Sequence, residues 1–121
     1  KISIMPVHNP KIRLLHMLDY AQKAVAMVND ESRASLDNDE KLHFALTRLV
    51  ELIGEAASHV PPEIQKKYPQ IPWPQIINMR HRLIHGYDAV DNDILWDTIT
   101  LSLPELIKKL SDIIENQSHH Q

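Results

Sequence analysis

Apolar residues recur every three or four positions over long stretches of this chain, and only two glycines, Gly54 and Gly86, interrupt its 121 residues. Few segments alternate apolar and polar residues in the period of two that a half-buried strand needs. A period near 3.6 is the signature of amphipathic helices, so the pattern predicts an all-α fold. Asn9-Pro10 reads as an N-cap followed by proline at the first helical position, opening a helix that runs to about Asp30 with Leu14, Leu18, Ala21, Val25 and Val28 as its apolar stripe. Asp37, with Glu40 three residues on, resembles a capping box for a second helix ending near His59. Its face carries Leu42, Ala45, Leu46, Leu49, Ile53 and Ala56, with Arg48, Glu51 and Glu55 opposite. Pro61-Pro62 starts a short helix. Prolines keep the following "PQIPWPQ" rigid and extended. A helix is expected from about Pro74 to His85, with Gly86 as its C-cap, and a last one from near Asp91 to about Glu115, kinked at Pro104. Four main helices and one short one make an antiparallel bundle. The length fits one domain over 1–121, with its core between about residues 10 and 115.

Composition narrows the function. An apolar fraction of 43% and a charged fraction of 24% are those of a folded, soluble protein. No cysteine is present, which removes disulfide and thiolate-zinc chemistry and suits a reducing, cytoplasmic compartment. No uncharged run approaches the roughly 18 residues of a membrane span. A net charge of −3 argues against non-specific duplex binding through a broad basic surface. One local patch has the opposite sign: between Asn78 and Tyr87 the only permanently charged side chains are Arg80 and Arg82, beside His81 and His85.

On an ideal wheel with Arg80 at zero, Ile76 and Ile84 fall about 40° to either side, and Leu83 and Ile77 about 60°. The guanidinium is therefore expected at the centre of the apolar stripe. Arginine is rarely buried alone. Three explanations stand: snorkelling to solvent, a structural ion pair with a neighbouring helix, or a groove or subunit interface in which a fixed cation has a task. His85 diverges from Arg80 by about 140° on the same wheel. Unwinding near Gly86, or the meeting of two copies at a two-fold axis, would bring the two together.

Histidine gives and takes protons near neutral pH, and arginine grips phosphate bidentately. Together they suit RNA cleavage without a metal, in which a ribose 2′-OH attacks the adjacent phosphorus. His81-x-x-x-His85 also has the spacing of two metal ligands on one helical turn, with Asp88, Asp91 and Asp93 nearby. Those aspartates belong to a loop of no fixed geometry, so no metal site is assigned. The same two histidines also fit a solvated helix flank. Trp73 and Trp96 are expected as core or interface anchors, and His8, His16, His43 and His59 as solvent-facing or core-edge residues.

The run Arg80-x4-His85-x-Tyr87, set in "LIGEAASHVPPEIQKKYPQIPWPQIINMRHRLIHGYDAVDNDILWDTIT", resembles the signature and central block of HepT-like proteins, a branch of the HEPN superfamily of helical bundles. The likeness spans residues 10 to 115. It implies a homodimeric, metal-independent ribonuclease toxin whose antitoxin is an MNT-type nucleotidyltransferase that transfers AMP to the motif tyrosine. It implies Arg80 and His85 as catalytic residues and Tyr87 as the modified position, with RNA as substrate and no cofactor. His81 stands where the superfamily commonly has Asn or Asp, and is a possible auxiliary to His85. The competing reading is a catalytically silent helical module that docks a nucleotidyltransferase.

Overall fold

The computed structural model describes residues 9–85 and 89–119. Helix α1 spans Pro10–Met27. Asn9 Oδ1 accepts a hydrogen bond from the Lys11 N–H at 3.0 Å, and Pro10 has no N–H to leave unpaired, so the expected cap is the observed one. Leu14, Ala21 and Val28 of the expected stripe are buried, joined by Met17 and Ala24, while Leu18 and Val25 are only partly covered. The burial is set by two neighbours, because α1 packs against both the long third helix and the last one.

The start of that third helix differs from expectation. Asp37 lies in a separate short helix, α2 (Ser35–Asn38), and the long helix α3 runs Glu40–Ser58 with Asp39 as its cap, accepting from Leu42 N–H at 3.2 Å. The sequence offers Asp37 and Asp39 two residues apart, and Asp37 is engaged by Arg33 and Asn92 instead. The expected end near His59 holds, since His59 is the C-cap. Helix α4 (Pro62–Lys67) follows Pro61-Pro62 as expected.

The expected single helix from Pro74 to His85 is not observed. The chain forms α5 (Trp73–Ile77), breaks at Asn78, resumes as α6 (Met79–Leu83), and then extends. Trp73 is buried, and its indole N–H donates to the Tyr68 carbonyl at 3.1 Å, which fixes where α5 begins. Ile84–His85 (β1) and Ala89–Val90 (β2) form a two-residue antiparallel ladder pairing Ile84 with Val90 and His85 with Ala89. The Asp91 N–H closes this excursion on the Leu83 carbonyl at 2.7 Å. The expected cap at Gly86 lies outside the described residues.

Helix α7 (Asn92–Asp97) is capped by Asp91, leads into a π-helical turn at Thr98–Ser102, and continues as α8 (Leu103–His119), past the expected end at Glu115. The wide turn lies immediately before Pro104, whose missing N–H and bulky ring the preceding backbone must accommodate. The fold is all-α apart from the small ladder, with more helical segments than the expected four and a short one. Its buried residues form one cluster, and half-buried Trp96 packs against it. Among the described residues, no helix is long and apolar enough to cross a membrane.

Candidate functional site

The break at Asn78 decides where Arg80 points. Met79 and Leu83 are the buried residues of α6, and Trp73 and Ile76 those of α5. That stripe is centred on Ile76, Met79 and Leu83, whereas the wheel centred it on Ile76, Ile77, Leu83 and Ile84. Ile77 and Ile84 are only partly covered. Arg80 therefore sits on the flank of the apolar face, not at its centre, with its side chain 55% exposed.

Its position is nevertheless defined. Nε donates to Oε2 of Glu51 on α3 at 2.8 Å, and Glu51 itself is only 25% exposed. Arg48, three residues earlier on α3, donates to the other carboxylate oxygen at 3.2 Å. The hydrogen bond from Arg80 is the main reason the Glu51 carboxyl is held below its ordinary pKa, with Arg48 adding to it against the opposing effect of burial. Of the three explanations the sequence left standing, the ion pair with a neighbouring helix is therefore present. It uses one edge of the guanidinium. Among the described residues, the terminal Nη groups of Arg80 make no hydrogen bond.

Gly54 makes this approach of helices possible. A methyl group there would lie 3.1 Å from both the Ile76 and the Ile77 carbonyl oxygens. Without a Cβ, α3 can press against the end of α5, which places Glu51, one turn before Gly54, beside the start of α6. The space above this contact is a groove of about 400 Å³, lined among others by Arg48, Glu51, Ser58, Asn78, Arg80 and His81.

The other predicted residues divide. His81 is exposed and lines the groove with Arg80. His85 lies beyond the end of α6, its backbone in β1. It is thus not on the helical wheel with Arg80, and the 140° divergence of an ideal helix does not apply. The same fact removes the expected helical spacing of His81 and His85 as paired ligands. Tyr87, the predicted modification site, and Asp88 lie outside the described residues. Asp91 and Asp93, weighed as ligands, are otherwise engaged: Asp91 caps α7, and Asp93 accepts from Arg33 Nε at 2.6 Å. Among the described residues, no three His, Cys, Asp or Glu side chains gather as a metal site.

The sequence reading missed a polar clamp at the start of α7. Asn92 Oδ1 accepts from His43 Nδ1 at 2.7 Å, and its Nδ2 donates to Asp37 Oδ1 at 3.0 Å and to the Leu36 carbonyl at 3.4 Å. Arg33 bridges Asp37 and Asp93. The Asn92 hydrogen bond is the first cause of a lowered Asp37 pKa. This network ties α2, α3 and the start of α7 together, and so holds the return end of the segment that carries the motif. Only the Arg33–Asp37 pair, four residues apart, has a short-range signal; the Asn92 contacts join residues 49 to 56 apart and leave none.

The fold and site define a class: helical bundles that carry Arg-x4-His-x-Tyr where a short helix unwinds beside an arginine-lined groove. A family model described as Ribonuclease HepT-like matches residues 17–113, and the chain belongs to that family. It is 33% identical over 112 residues to a protein of Methanocaldococcus jannaschii provisionally named an RNase, covering 93% of this chain and 97% of the relative. A similarly named protein of Caldanaerobacter subterraneus subsp. tengcongensis is 34% identical over 108 residues, 89% of this chain and 96% of that one. A Thermococcus cleftensis protein named "Probable ribonuclease HepT" is 39% identical over 75 residues, 62% of this chain and 68% of its own. No solved structure gives a significant match.

Proposed function

We propose that this chain is a metal-independent endoribonuclease, the toxin of a toxin–antitoxin pair, in which Arg80 and His85 cut RNA. The observation that carries the reading is the Arg80 guanidinium, held by Glu51 through Nε on the wall of a groove that His81 also lines. An arginine held by one edge is pre-organised to accept a phosphate on the other. Family membership and the relatives' names support RNA as the substrate.

In the reaction, one imidazole, assigned to His85, removes the ribose 2′-OH proton as O2′ attacks phosphorus. Arg80 stabilises the charge gathering on the non-bridging oxygens. The P–O5′ bond breaks, and the leaving oxygen takes a proton from an acid, a step in which His81 is assigned as auxiliary. The products are a 2′,3′-cyclic phosphate and a 5′-hydroxyl. A homodimer would bring a second copy's groups to the same groove. An MNT-type nucleotidyltransferase partner would silence the site by adding AMP to Tyr87, because the new phosphodiester anion competes for Arg80. RNA incubated with the untreated protein in EDTA tests this. Cyclic-phosphate ends are expected, and cleavage that needs an added divalent metal contradicts it.

The Arg80–Glu51 pair also favours a second reading, a silent helical module that docks a nucleotidyltransferase, since it gives the guanidinium a structural partner. Full docking of that enzyme by a chain that leaves RNA intact would select it.

A further inference from the structure

Across α3 from Arg80 lies a second groove, between α1 and α3, of about 310 Å³. Arg13, His16, Tyr20, Leu52, Glu55 and His59 line it, and Glu55 lines the Arg80 groove as well. The two grooves are thus the flanks of one helix, whose width with side chains is about 10 Å. Three arginines (Arg13, Arg48 and Arg80) face two glutamates (Glu51 and Glu55) across this surface, so it is locally positive on a chain of net charge −3.

The chemistry of the second groove is specific. Arg13, His16 and Tyr20 are spaced three and four apart, which sets them on one face of α1. The rings of His16 and Tyr20 stand 6.1 Å apart with a 37° tilt. His59 Nδ1 lies 2.8 Å from the Glu55 carbonyl oxygen. A carbonyl only accepts, so Nδ1 carries the hydrogen and Nε2 is left for another partner. Among the described residues, the Arg13 guanidinium, the Tyr20 hydroxyl and the Glu55 carboxylate make no hydrogen bond. The bland account is a solvated seam between two helices. It explains the charges, and Tyr20 also packs against the core, but it does not explain why a cation and a carboxylate with no hydrogen bond among the described residues line the same concavity as two aromatic rings.

We infer that this groove is a nucleobase subsite for the RNA strand whose scissile phosphate sits at Arg80. The base stacks on Tyr20 and His16, Arg13 holds the adjoining phosphate, and Glu55 accepts from an exocyclic amino group, as carboxylates do from cytosine N4. The inference rests on the ribonuclease reading, and binding separates the two. A fluorescent single-stranded RNA of mixed sequence is titrated against His85→Ala protein and against His85→Ala protein also carrying Tyr20→Ala, Tyr20→Phe or Arg13→Ala, with circular dichroism confirming the fold.

Tyr20→Ala is expected to weaken binding about tenfold, the size of one base–aromatic stack. Tyr20→Phe should keep most of the affinity, and Arg13→Ala should lower both the affinity and its salt dependence. Ultraviolet crosslinks should map to the Arg13–Tyr20 peptide. Parental affinity in both Tyr20→Ala and Arg13→Ala, with crosslinks elsewhere, overturns the subsite and leaves the ribonuclease reading standing. Absence of any RNA binding by the His85→Ala protein overturns both.

Discussion

At the scale of single residues, the site is built on one contact: Glu51 takes the Nε edge of Arg80, and among the described residues the Nη groups make no hydrogen bond. The pair is half open to water, so its direct contribution to stability is small, about 1 kcal/mol or less. Arg80→Ala should therefore melt within a few degrees of the parent while losing its proposed activity. Glu51→Gln tests the steering separately, because it keeps Arg80 but weakens the acceptor. RNA cleavage should fall with Arg80 still present. The pH dependence follows from sign. The folded Glu51 pKa is depressed, chiefly by Arg80. Its stabilisation is thus full above the unfolded value of about 4.3 and is lost as pH falls through the folded one. Melting temperatures followed from about pH 6 into this acid window should drop less steeply for Glu51→Gln than for the parent. Equal slopes would mean that the ion pair is not formed in solution.

At the scale of elements, much of the helical plan was legible because its signals are local. Asn9-Pro10 announces α1, Pro61-Pro62 separates α3 from α4, and Asp91 caps α7. The break at Asn78 was not legible, since it accompanies an approach of α3 to the Ile76 and Ile77 carbonyls that only the folded chain creates. For the same reason the wheel misplaced Arg80: it assumed one continuous helix, and its partner Glu51 is 29 residues away. The Gly54 contact carries its own prediction. Gly54→Val should destabilise by about 1–3 kcal/mol through overpacking, and should reduce cleavage further by lifting α6 from Glu51. Denaturant titration measures the first effect, and an unchanged midpoint would show that α5 yields freely. The clamp at Asn92 offers a second test. Asn92→Ala removes the partner of half-buried His43, while exposed Asp37 keeps Arg33, and should cost about 1 kcal/mol, read as faster amide exchange at the start of α7.

At the scale of the whole molecule, the family was legible in the sequence before the surroundings of its motif were legible as structure. Arg80, His81, His85 and Tyr87 are of residue types suited to phosphate and proton transfer, and the family match over residues 17–113 places the chain among ribonuclease HepT-like proteins. The grooves on either side of α3 were not legible, because each combines residues from distant parts of the chain. A site completed by a second copy predicts a solution mass of twice 14.0 kDa by light scattering, and a monomer at assay concentration would rule out any contribution of a second copy. The most direct measurement is the cleavage rate of RNA, in EDTA, by protein never exposed to a nucleotidyltransferase, compared with Arg80→Ala and His85→Ala proteins of matched melting temperature. The account predicts cyclic-phosphate products from the parent and none above background from either variant. Parental rates in both variants would contradict it.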